Sequence, residues 1–122
     1  MNAELLRHPK TDCPAAAGIG VDLSWHSDGR LELVYTLAGD LAGLRIPAPG
    51  ASGRRDGLWR HTCFEAFVMA EDGPAYREFN FSPSGEWAAY CFAGYREDGA
   101  DLAMAAPALA CRQEAGRLEL TT

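Results

Sequence analysis

The stretch LWRHTCFEAFVMAEDGPAYREFNF, Leu58 to Phe81, carries the pattern on which the fold turns. Two runs of alternating apolar and polar residues flank Glu71-Asp72-Gly73-Pro74, a cluster of turn formers, and a period of two marks strands. Pairing Ala70 with Ala75 across that turn sets Phe64 against Phe81, Ala66 against Phe79 and Val68 against the alkyl stem of Arg77. Full burial of a Phe or Val is worth about 1.5–3 kcal/mol, so this face fixes the register. The opposite face then has no freedom: Cys63 lies beside Ser82, Glu65 beside Asn80, Phe67 beside Glu78 and Met69 beside Tyr76. Glu65 and Glu78 fall on a diagonal between neighbouring strands, where side-chain origins are roughly 7–8 Å apart or somewhat less. Like charges at that spacing need water, a cation, a basic partner or a ligand. The face reads either as a solvated surface with ordinary exposed acids or as the polar floor of a binding groove, with Phe67 and Tyr76 as aromatic neighbours.

Trp87 has two readings. If Ser82-Pro83-Ser84-Gly85 is a tight turn that sets Glu86 opposite Phe81, Trp87 lands beside Asn80 and offers a stacking platform for a sugar ring. If the loop is one residue longer, Trp87 opposes Phe81 in the core and Tyr90 moves to the polar face beside Glu78. The second register keeps an acid off the core face and is favoured.

Further strands lie outward on both sides. Ile19, Val21, Leu23 and Trp25 alternate with smaller or polar residues, as do Leu31, Leu33, Tyr35 and Leu37. One register satisfies them all, with Trp25 opposite Leu31, Leu23 opposite Leu33, Val21 opposite Tyr35 and Ile19 opposite Leu37. LRIPAPGASGRRDG, from Leu44, is rich in Pro, Gly and Arg and reads as a long irregular surface excursion of the kind that borders sites. Strands are expected near residues 61–70, 75–82 and 87–95. A last hairpin, ALACRQEAGRLELTT, turns at Ala115-Gly116. No segment makes a convincing amphipathic helix; AELLRH is expected to form at most one turn, and Pro107 interrupts DLAMAAPALA. The pattern predicts a single all-β domain over 1–122, an antiparallel β-sandwich. The final strand is expected at an edge, which points either to a homodimer through that edge strand or to a chain lacking its natural C-terminal strands.

Composition narrows the function classes. With 122 residues, a net charge of -6 and one adjacent basic pair, Arg54-Arg55, the chain lacks the clustered cations of a nucleic-acid footprint. No run of 18 apolar residues would span a bilayer, and the N-terminal segment has no secretory pattern, so a cytoplasmic protein with no membrane partner is expected. Cys13, Cys63, Cys91 and Cys111 form no Cys-x-x-Cys pair and are expected to be reduced. His61, Cys63 and Glu65 at alternate positions suit a transition metal, but Cys63 reads better as a small buried hydrophobe and His61 as a loop-end polar residue. Haem ligation by His61 and Met69 fails on distance, since eight strand residues separate them by roughly 26 Å. Glu65 and Glu78 have the spacing of a glycosidase pair, yet no second constellation to orient a substrate accompanies them.

Leu58 to Arg96, LWRHTCFEAFVMAEDGPAYREFNFSPSGEWAAYCFAGYR, resembles the DOMON-like domains related to the family-nine carbohydrate-binding modules. Those carry a Trp, then a strand with [CV]-[FE]-x-F, then Y-x-E-F-x-x-[SN]-P-x-G leading into a further strand. The resemblance covers about a third of the chain and is to the stand-alone bacterial members rather than the secreted modules. It implies a jelly-roll β-sandwich whose concave face binds a sugar in some relatives and haem in others. Trp59, Glu65, Glu78 and Asn80 are the matching positions, whereas Arg60 and His61 stand where relatives carry acids. The resulting expectation is a non-catalytic domain binding a carbohydrate or sugar derivative through Trp59, Arg60, His61, Glu65, Glu78, Asn80 and Trp87, with no metal and no cofactor. The alternative is a protein-interaction module working through a sheet face or the terminal edge strand; a glycoside-active enzyme using Glu65 and Glu78, or a haem-binding domain, stands behind both.

Overall fold

A computed structural model describes residues 1–97 and 99–122. The chain is all-β, with two sheets of mostly antiparallel strands, and it divides into two compact units, Met1–Ile46 with Ala108–Thr122, and Pro47–Pro107.

The first unit holds β1 (Asn2–Glu4), β2 (Ala16–Trp25), β3 (Leu31–Gly39), β9 (Ala110–Glu114) and β10 (Arg117–Thr121). Its strand order is β1-β2-β3-β10-β9. The β2–β3 hairpin adopts the register that its apolar alternation dictates, from Ile19 opposite Leu37 to Trp25 opposite Leu31. Leu33, Tyr35, Leu37, Leu118 and Leu120 are buried, and Leu118 pairs with Leu37 as Leu120 does with Tyr35. The β9–β10 turn falls at Ala115-Gly116, and Gly116 supplies the positive φ of 73° that a two-residue turn requires.

Two expectations are corrected in this unit. The segment AELLRH, read as able to form one helical turn, overlaps β1, which pairs antiparallel with β2 through Asn2 opposite Asp22 and Glu4 opposite Gly20. A three-residue strand is too short to show alternation, and its partner rather than its own pattern makes it a strand. The last strand is not an edge: β10 lies between β3 and β9, and β9, exposed at every residue, takes the outside position. Sequence order places β10 last, but spatial order follows its two apolar leucines, which are fully buried beside β3.

The second unit holds β4 (Gly53–Arg54), β5 (Phe64–Met69), β6 (Tyr76–Phe81), β7 (Glu86–Phe92) and β8 (Ala100–Asp101). The order is β4-β7-β6-β5, with β8 also on β7 and β4 parallel to it. The expected pairs from Phe64 opposite Phe81 to Met69 opposite Tyr76 are all present, while Cys63 and Ser82 lie just outside the paired strands. Phe81 also pairs with Trp87, and Glu78 with Tyr90, so β7 takes the register of the longer loop. Phe64, Phe81 and Trp87 share one face and are 5%, 5% and 6% exposed. Trp87 is therefore a core residue and not a ligand platform; the Arg54 guanidinium covers its ring at 5.0 Å and donates to the carbonyls of Leu102, at 2.7 Å, and Ala89. This holds β4, β7 and the segment beyond β8 together.

Candidate functional site

The other face of the Pro47–Pro107 sheet is built in rows by its registers. Glu65, Asn80 and Ala88 form one row; Phe67, Glu78, Tyr90 and Asp101 form the next; Met69, Tyr76 and Phe92 form the last. Ser82 and Glu86 lie at the opposite end, joined by the Ser82 N–H donating to the Glu86 carbonyl at 2.9 Å. The face therefore grades from hydroxyls through carboxylates to aromatic rings, with Tyr76 stacked on Phe92 at 4.7 Å and tilted against Phe67 at 6.3 Å.

The middle rows concentrate acceptors. The Asn80 amide donates from Nδ2 to Glu78 Oε1 at 3.2 Å, which fixes the amide's orientation. Its Oδ1 is buried without a hydrogen-bond partner, on a side chain 2% exposed. An acceptor left unmatched at that depth costs about 1–3 kcal/mol, so a donor there is worth that much. Burial, and then the nearby Glu78 charge, hold the Glu65 carboxyl above its ordinary value. The expected grouping of Glu65, Glu78 and Asn80 is thus present.

Cys63 faces the same carboxylates. Burial, with Glu65 and then Glu78 adding like charge, pushes its thiol up to about 12, and Sγ contacts the Phe64 carbonyl at 3.8 Å. A thiol so placed stays protonated at neutral pH and is a poor nucleophile and metal ligand. The expected strand face of His61, Cys63 and Glu65 does not form, because β5 begins at Phe64 and His61 closes the preceding 3-10 turn, Leu58–Arg60. Among the described residues, no three His, Cys, Asp or Glu side chains are grouped to hold a metal ion.

That turn matters because of where its segment runs. Tyr90 Oη donates to Asp56 Oδ1 at 2.6 Å and Arg55 Nη1 to Glu86 Oε2 at 3.3 Å, so residues 55–61 cross the Ser82–Glu86 end of the acceptor-rich face. Gly57, with φ 76°, starts the turn, and Leu58 is buried as its anchor. Burial, then the bond to Asp56, pushes the Tyr90 hydroxyl above its ordinary value. Trp59 is 65% exposed, with the Arg60 guanidinium 5.5 Å from its ring centre. Arg60 and His61 line a cavity of about 330 Å³ together with Arg55, Asp56, Ser82 and Glu86. The expected site residues thus occupy two places on one face, Glu65, Glu78 and Asn80 in the middle and Arg60 with His61 at the end, while Trp87 lies on the opposite face.

Arg55, Asp56, Ser82, Glu86 and Tyr90 were not among the expected site residues. The register that buries Trp87 puts Tyr90 on this face and so gave a signal for it. Arg55 and Asp56 lie in the Arg-rich excursion, whose path no periodicity records. No family model, curated protein or solved structure matches the chain.

Proposed function

We propose that the chain is a non-catalytic binding domain for a carbohydrate or sugar derivative, held on the face that carries Glu65, Glu78 and Asn80. The observation that carries this reading is the acceptor-rich middle of the sheet. Two carboxylates lie on a diagonal, and the buried Asn80 Oδ1 beside them has no partner. Glu78 and the Asn80 Oδ1 call for hydrogen-bond donors without positive charge being obligatory, and adjacent hydroxyls of a sugar supply them. Exposed rings at Trp59 and Phe67 add the apolar faces against which a pyranose stacks. The proposal includes the DOMON-like relationship and a jelly-roll sandwich arrangement, both supported by the strand pattern and by the motif from Leu58 to Arg96. It also includes a cytoplasmic protein; no helix of the described residues is long and apolar enough to cross a membrane.

Thermal unfolding against a panel of monosaccharides, oligosaccharides and nucleotide sugars tests it. A ligand at 100 times its Kd adds about 2.7 kcal/mol of stability, and that gain should shrink in Asn80→Ala and Glu78→Gln. A flat response across the panel sinks the reading.

One observation favours a second reading, association with protein. Strand β5 pairs only with β6 among the described residues, and its Phe67, Val68 and Met69 are 57%, 43% and 67% exposed. An apolar strand at a sheet edge is a template for pairing with another chain. The homodimer expected through the terminal strand moves, on this reading, to β5.

A further inference from the structure

The cavity at the Ser82–Glu86 end of the face shares no lining residue with Glu65, Glu78 and Asn80, and it adds Arg55, Arg60 and His61 to its acids. Its two carboxylates are engaged locally. Glu86 accepts from Arg55 through Oε2 and from the Ser84 hydroxyl, at 3.1 Å, through Oε1, while Asp56 Oδ1 accepts the Tyr90 hydroxyl. Arg55 is consumed in the same way, as the partner of Glu86. Arg60 and His61 differ: among the described residues neither has a carboxylate within salt-bridge distance, and the Arg60 guanidinium lies 5.5 Å from the centre of the uncharged Trp59 ring. Arg7, Lys10, Arg45 and Arg77 likewise have no carboxylate at salt-bridge distance among the described residues, so what distinguishes Arg60 is its place, with His61, on the lining of a cavity.

We propose that this cavity binds the oxyanion of a small ligand, a carboxylate or phosphate group, with the Arg60 guanidinium as its principal contact and the His61 imidazole beside it. A planar guanidinium presents paired N–H donors that match two oxygens of either group. Leu58 and Pro47 form an apolar wall, so part of a carbon skeleton finds a surface there as well. Two arginines balance two carboxylates on the lining, and with Glu86 held by Arg55 and Asp56 Oδ1 held by Tyr90, Arg60 is the arginine there with no acid at salt-bridge distance among the described residues. The size suits an ionised group on one small ring rather than a polymer, since about 330 Å³ is at the lower end of small-ligand sites. The inference does not depend on a sugar occupying the acceptor cluster; it rests on Arg60 and His61.

Trp59 makes the test direct, because an anion that draws Arg60 off its ring changes that indole's surroundings. Wild-type protein is titrated with sodium phosphate, sodium glucuronate and, separately, glucose, each against sodium chloride at matched ionic strength, by tryptophan fluorescence and calorimetry. A saturable response to phosphate or glucuronate is expected, weakened about tenfold or more in Arg60→Gln. It should persist in Arg112→Gln, whose arginine lies in the other unit and pairs with Glu119 at 3.2 Å. Phosphate alone responding identifies a phosphoryl group, and glucuronate alone a carboxylate. Responses to both anions no larger than to chloride, or undiminished in a folded Arg60→Gln, overturn the proposal. Binding of glucose without either anion overturns it too while sustaining the sugar reading; an anion response lost in Arg60→Gln but kept in Asn80→Ala sustains it, and the sugar reading then stands or falls on the neutral sugars of the panel.

Discussion

Glu65 shows how little of a residue's role lies in its own identity. Its carboxyl is raised above 4.5 by burial and then by Glu78, which means that the folded state favours the protonated form. A raised value contributes stability below the ordinary pKa, and that contribution is lost as pH rises through the raised one. At neutral pH the ionised Glu65 is therefore a cost. Glu65→Gln is expected to be the more stable protein at pH 7, by about 0.5 kcal/mol or less because water screens a side chain this accessible. The difference should disappear near pH 4, and urea unfolding at the two pH values measures it. The pairing of Glu65 with Asn80 and its diagonal to Glu78 were legible, because Phe64, Ala66 and Val68 leave the strand one register. The burial of Asn80 was not, since alternation fixes which face a residue takes and not what covers it.

Between strands, the energetic weight rests on one end of the core face. Phe64, Phe81 and Trp87 form a row in which each ring is almost entirely buried, whereas Val68, two rows along on the same face, is 43% exposed opposite Arg77. Removing a ring from a row that cannot collapse loses both transfer free energy and packing. Phe81→Ala is expected to cost about 3–5 kcal/mol in denaturant unfolding, and Val68→Ala less than about 1 kcal/mol, although both positions alternate inward. Alternation reveals which way a residue points and not how much covers it. That difference explains the two readings of Trp87 as well: the avoided acid at Glu86 picked the right register, while the Arg54 guanidinium over the indole could not be foreseen from a Pro- and Gly-rich loop. β1 escaped notice for a related reason, because three residues carry too little pattern to be told from a turn.

At the level of the molecule, strand order rather than strand content is what the sequence concealed. Hairpins are local and follow from adjacent patterns, as β2–β3, β5–β6 and β9–β10 do. The pairing of β10 with β3 joins Leu118 to Leu37 across the whole Pro47–Pro107 unit, and no local pattern predicts it. Deleting Arg117–Thr122 would remove two leucines with no solvent exposure and strip both β3 and β9 of a partner. We expect the truncated protein to lose cooperative unfolding of the Met1–Ile46 and Ala108–Thr122 unit, as a broadened thermal transition in circular dichroism. A sharp transition at the wild-type temperature would show that β10 is dispensable.

The same pairing sets a schedule for the ribosome. The Pro47–Pro107 sheet draws all its strands from one continuous stretch, and its hairpins can close as soon as that stretch emerges. The β2–β3 hairpin emerges earlier still, yet it must wait with the edge of β3 bare until translation has passed the entire intervening unit and delivered β10. During that interval a nascent chain exposes the backbone and the apolar rim of Leu33, Tyr35 and Leu37, so the step most open to misassociation is set by gene order and not by the finished fold.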